Sequence, residues 1–173
     1  MQLYPHILID AIANAARRDL FEPAGVDLPP VPIQIGLVGK VSAEDRVDAQ
    51  TQYMPAPSDM TRPSKRVLAI LEAATVPVHA PFLLAITNDL EDFYGGPKGR
   101  LTLASTLVHE MVHTAFDSAV GHGPRFVRLM HKVGLTGTPE KSVASPRFER
   151  WFDKTVMPEY EAQVARMEEM ING

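Results

Sequence analysis

No cysteine occurs in the 173 residues. Disulfide staples, cysteine-based zinc ribbons and thiolate nucleophiles are therefore excluded, and the absence fits a reducing compartment. Basic charge is also scarce. Lys and Arg number 17 against 21 Asp and Glu, for a formal charge of −4 and a pI of about 5.8. The broad cationic footprint of a nucleic-acid binder is missing. Short basic clusters remain, Lys98 with Arg100 and Arg125 with Arg128 and Lys132, and these read as solvated surface. Association with DNA thus finds no support in the charge. No apolar run approaches the roughly 20 residues that cross a bilayer. The opening MQLYPHILIDAIANAARRDLF has no basic leader before its apolar part, so it does not read as a signal peptide. The expectation is a soluble cytoplasmic protein with no membrane partner.

What is present suffices for a core. Hydrophobic residues make up 45 %, enough for one globular domain spanning residues 1–173. The 15 prolines and 11 glycines predict irregular connections. Residues 6–20 carry Ile7, Leu8, Ile12, Ala15, Ala16 and Leu20 at helical spacing, and EPAG ends that helix. Short strands are expected in IQIGLV, in QTQYM and at 82–87 within PFLLAITNDL. Residues 42–65, broken by Pro55, Pro57 and Pro63, read mostly as loop, and 66–74 fit helix or strand equally. A helix is predicted from about Leu101 to Ala119. GHGP breaks it, Pro124 opens a second helix, and Gly134 stops that one. Residues 135–150 read as loop or irregular helix, and VMPEYEAQVARMEEMI as a last helix opened by Pro158.

The chemistry concentrates in TLVHEMVHTAF. His109 and His113 stand four apart, one helical turn, so both imidazoles can face one ion. Glu110 projects beside them and can hold a water instead. This is the HExxH arrangement of zinc hydrolases, in which the glutamate serves as general base. A catalytic zinc takes three protein ligands and leaves a position for water. Asp117 lies eight residues beyond His109, about 12 Å along a straight helix, too far to share the ion unless the helix breaks. It could instead orient a ligand imidazole from behind. His122, flanked by Gly121 and Gly123, is better placed, because glycine lets the chain turn back. Glu140, Glu149 and His131 are the reserves for that third position. An oxyanion partner could come from Tyr160, Tyr94, Arg147 or Arg125. Trp151 and Phe152 read as core anchors, and Met54, Met167 and Met170 as packing residues.

Three pieces, TLVHEMVH, GHGPRF and VGLTG, together resemble the SprT-like metallopeptidase family, in particular its small phage and prophage members. The firm resemblance spans about a third of the chain, within 101–137. It implies Zn2+ as cofactor, His109, His113 and His122 as metal ligands, and Glu110 as catalytic residue. It also implies an α+β, zincin-like fold: a small, mostly antiparallel sheet packed on the HExxH helix and further helices. The implied activity is hydrolysis of a protein or peptide substrate, as an endopeptidase rather than an exopeptidase, inside a bacterial host or encoded by a phage. In such folds the peptide often pairs with an exposed strand edge, for which 82–87 is the candidate. The chain departs from longer relatives in lacking a cysteine-rich ribbon and any DNA-binding module. After GLTG it has TPEKSVAS where small members have a threonine-rich piece. Two rival readings use the same residues: a non-catalytic binding or structural protein that keeps the fold, and a hydrolase of a non-protein amide.

Overall fold

A computed structural model describes residues 4–28, 33–35, 49–53, 82–86, 96–116 and 121–172. Helix α1 is Pro5–Ala16, β1 is Ile33–Ile35, β2 is Ala49–Tyr53 and β3 is Phe82–Ile86. Helix α2 is Pro97–Thr114 and α3 is Pro124–Lys132. The hairpin strands β4, Leu135–Thr138, and β5, Lys141–Ala144, precede helices α4, Pro146–Trp151, and α5, Met157–Asn172. Four of the prolines are the first residues of α1, α2, α3 and α4. That position has no intrahelical N–H bond to lose, and the ring presets a helical φ. Gly96 precedes α2 with φ 136°, a conformation that glycine supplies. That junction, together with Pro97, starts α2 four residues before the expected Leu101.

Helix α1 is buried more completely than its spacing suggested. Only His6, Asp10, Asn14 and Arg18 are exposed in its body and the turn beyond, a stripe one residue wide repeating every four. Leu8, Ile9, Ala11, Ile12, Ala15 and Ala16 are all buried. A helix apolar on nearly every side must lie inside a protein, and α1 packs against both α2 and α5. It widens into a π-helical turn, Arg17–Phe21, that buries Leu20 and Phe21. Gly25 then ends it with φ 77°. The guanidinium of Arg18 donates to Asp19 and to Glu159 on α5, both at 2.7 Å at closest, and Trp151 Nε1 donates to Asp19 at 3.2 Å. The arginine holds the Asp19 carboxyl below its ordinary pKa. Arg18 is exposed and its carboxylate partners only half-buried, so the pairs orient α1 against the C-terminal helix more than they stabilise it.

Strand β3 lies between β1 and β2. It runs parallel to β1, with Ile33 opposite Leu84, and antiparallel to β2, with Tyr53 opposite Phe82. Helix α2 packs on β2 and β3. The architecture is α+β and zincin-like, with two of its three strand pairings antiparallel. The strands expected around 33–38, 50–54 and 82–87 are all present, but 82–87 is not an edge. Among the described residues both sides of β3 are already hydrogen-bonded, so a peptide has no free ladder there.

The second half brings one correction. Residues 135–144 form an antiparallel hairpin rather than a loop, with Leu135 opposite Ala144 and Thr138 opposite Lys141. Gly137, at φ 91°, makes it close: a Cβ there would stand 2.6 Å from the Lys141 carbonyl oxygen. The final helix, Met157–Asn172, starts beside Pro158 as expected; ahead of it stands a shorter helix, Pro146–Trp151. Ser145 caps it, its Oγ accepting from the Phe148 N–H at 3.3 Å. The backbone stays helical from α4 through a π turn, Phe152–Val156, into α5, with the Met157 N–H reaching back to the Phe152 carbonyl. Pro158 lacks the N–H that would bond one turn back, and the wide turn sits just where that bond is missing. Phe152, Val156, Tyr160 and Val164 are buried along this helix, and Trp151 packs its ring on Phe148 at 4.9 Å. Both predicted core anchors are thus found in or against the core.

Candidate metal centre

The site is assembled from three elements. On α2, the four-residue spacing sets His109 and His113 on successive turns of one face, with ring centroids 5.3 Å apart. His122 comes from the segment before α3. There the Gly123 N–H donates to the Gly121 carbonyl at 2.7 Å, an i to i+2 bond that makes a γ-type turn centred on His122. Its ring lies 5.2 Å from that of His109 and 5.1 Å from that of His113. The three imidazoles stand at the corners of a nearly equilateral triangle, and one nitrogen from each falls within 4.8 Å of the others. Neither flanking glycine is demanded by space or backbone: a Cβ at Gly121 or Gly123 would meet nothing within 4 Å, and neither has a positive φ. The turn itself, not glycine freedom, aims His122.

Phe126, in the first turn of α3, forms the floor. It is fully buried, and its ring centroid lies 4.9, 4.4 and 4.9 Å from those of His109, His113 and His122. One apolar plate therefore backs all three rings and limits how far they can tilt. Glu110 follows His109 on the helix and is only 8 % exposed. Its charge is felt at His122, where it acts with Glu140 to favour the protonated ring.

The hairpin completes the surroundings. His109 Nδ1 lies 2.9 Å from Ser142 Oγ on β5. With Nδ1–H donating to that hydroxyl, His109 Nε2 keeps a lone pair, and this atom stands 3.3 Å from His122 Nε2. Two imidazole nitrogens bound to one tetrahedral zinc at ~2.05 Å would be about 3.3 Å apart. Lone pairs facing each other at that distance repel unless a proton or cation lies between them. Burial first, then the neighbouring His113 and His122, push the His109 pKa down to about 3. Burial and His113 also lower that of His122, against the two carboxylates. At neutral pH both rings are neutral, the form that ligates metals. The donor set and its spacing fit a borderline metal such as zinc.

The chain carries a three-histidine cluster able to hold a metal ion. No protein-family model matches it, and no curated protein and no solved structure matches it either.

The remaining candidates separate cleanly. Glu140 is near His122 but on the far side of the ring, its Oε1 3.8 Å from Nδ1, so it stands behind the imidazole instead of replacing it. Glu149 and His131 are exposed on α4 and α3, and neither belongs to the cluster. Tyr160 is fully buried, and its hydroxyl accepts from the Tyr4 N–H at 3.2 Å, which makes it a core residue. Arg125 lies over the Phe116 ring at 5.0 Å, and Arg147 is exposed. Of the tail methionines, Met170 is 77 % exposed and does not pack as expected. Asp117, Tyr94 and Met54 lie outside the described residues. Two participants were not singled out from the sequence. Phe126 was visible within GHGPRF, but nothing there announced a floor. Ser142 lies 33 residues from His109, and its one local signal was the weak alternation of KSVA.

Proposed function

We propose that the chain is a zinc-dependent peptidase in which His109, His113 and His122 hold the metal and Glu110 is the catalytic base. The observation that carries this reading is the convergence of three imidazole nitrogens, within 4.8 Å of one another, beside a buried glutamate on the same helix. Zinc bound there supplies Lewis acidity and lowers the pKa of a water toward neutrality. Glu110 takes the proton of the attacking water and returns it to the departing amine nitrogen. Its burial, at 8 % exposure, keeps the carboxylate in a setting where charge acts strongly. Phe126 keeps the imidazoles in register through both steps.

Assignment to the SprT-like family rests on the three pieces TLVHEMVH, GHGPRF and VGLTG. A phage or prophage origin, action inside the cell as an endopeptidase, and one domain over residues 1–173 belong to the same reading. Among the described residues no helix is long and apolar enough to cross a membrane. The test is elemental analysis of the purified full chain together with cleavage of an unfolded protein substrate. One zinc per chain and cleavage that a chelator stops and added zinc restores are expected. A chain that takes up no zinc overturns the reading, and a chain that holds zinc yet cuts nothing leaves the binding-protein alternative in its place.

A further inference from the structure

The β4–β5 hairpin reaches the metal site from outside α2, and this is the part of the molecule that the peptidase reading leaves without a role. Its alternation is regular: Ser142 and Ala144 are half-buried, Lys141 and Val143 exposed. Period two therefore turns Ser142 toward α2, on which β5 packs. There its Oγ meets His109 Nδ1 at 2.9 Å, the nitrogen opposite the one facing His122. Glu140, in the two-residue loop of the same hairpin, stands 3.8 Å from His122 Nδ1. The hairpin is itself well anchored. Leu135 is buried at one end, the Ser145 N–H donates to the Gly134 carbonyl at 3.1 Å across its base, and Gly137 permits the close pass at Lys141.

Resting on the metal assignment above, we propose that Ser142 is a positioning residue of the metal centre: by accepting the Nδ1–H of His109 it fixes the tautomer and ring angle that send Nε2 to the ion. Glu140 adds only a longer-range electrostatic pull on His122, its Oε1 3.8 Å from Nδ1 and its side chain 68 % exposed. The hairpin is thus an outer clamp on the site, built by a segment that supplies no ligand.

The experiment measures zinc affinity of the full chain by competition with a chromogenic chelator at neutral pH, alongside the unfolding midpoint of the metal-free protein. Loss of such a partner weakens metal binding by roughly 10- to 100-fold, so Ser142→Ala should show a loss of that size while the metal-free midpoint is unchanged. Ser142→Thr keeps the hydroxyl on a strand-favouring residue and should restore tight binding. Gly137→Ala, which displaces the strand without removing a polar group, should also weaken binding. The cobalt-loaded Ser142→Ala chain should show shifted ligand-field bands. Wild-type affinity in Ser142→Ala overturns the clamp and leaves the metal site standing. A loss that Ser142→Thr does not rescue also overturns it. A wild-type chain that binds no zinc overturns the metal assignment itself.

Discussion

Helix α2 and the β4–β5 hairpin meet at one imidazole, that of His109, and reach it in opposite ways. The helix contributes His109, Glu110 and His113 through the arithmetic of 3.6 residues per turn, with no distant part of the chain needed to place them relative to one another. The hairpin contributes Ser142 from 33 residues away, through a register, a turn and a packing contact that must all be correct. Periodicity places the atoms that would touch a metal, and tertiary structure places the atoms that orient them. A motif can therefore name ligands and remain silent about how firmly they are held.

That contrast breaks most visibly at the helix. His113→Ala removes one corner of the triangle and should abolish stoichiometric zinc uptake, read by elemental analysis. If the variant still loads one zinc per chain with wild-type affinity, the helix does not carry the site. Glu110→Gln keeps the shape and removes the proposed base. Turnover should fall by about 10²- to 10⁴-fold, the usual worth of general acid–base catalysis, with zinc content intact. Equal turnover in that variant would reassign the proton transfer to another group.

Phe126 sharpens the comparison, because it serves both sides of the site from below. Phe126→Ala leaves a cavity under the three rings and should cost about 3–5 kcal/mol of stability, measured by urea unfolding of the metal-free chain. A Phe126→Ala chain as stable as wild type would mean that the imidazoles do not rest on that ring. The smallest effect concerns pH. His109 has a folded pKa of about 3 against an unfolded value of about 6.5. Below pH 6.5 the unfolded chain binds the proton and the folded one does not, so stability is full above that value and declines as pH falls toward 3. Between pH 7 and pH 5 the metal-free chain should lose about 2 kcal/mol from this group, visible as a lower urea midpoint. His109→Asn should flatten that portion of the profile. A midpoint that does not move between those pH values would place His109 in a more open, hydrated setting.

Much of the site was legible beforehand, and for local reasons. His109 and His113 share a helix. His122 follows soon enough that a turn and one proline-started helix return it to the same place. The same closeness in sequence made β1, β2 and β3 readable as short apolar or alternating runs. Their order was not readable, since which strand takes the middle depends on long-range pairing, and β3 proved internal where an edge was expected. The hairpin was hidden for a different reason. Gly137 and Pro139 are residues that ordinarily argue against a strand, and here one permits a close approach while the other sits in the turn. Pro158 marked its helix start correctly, whereas the π turn at Phe152–Val156 that joins that helix to α4 was not foreseen. Tyr160 and Arg125 had chemistry suited to the site and were drawn elsewhere, one into the core beneath α1 and one onto Phe116.

The chain's order of residues was enough to decide that two histidines and a glutamate share one helical face, because neighbours on a helix are related by a local rotation that every backbone hydrogen bond enforces. It was enough, too, to rule out thiolate ligands. The fold set how His122 closes the triangle, and it alone decided that Phe126 lies beneath it and that Ser142 faces His109 from behind. Those relations depend on which surfaces bury against which, a balance summed over the whole core, and no stretch of residues carries that sum within itself.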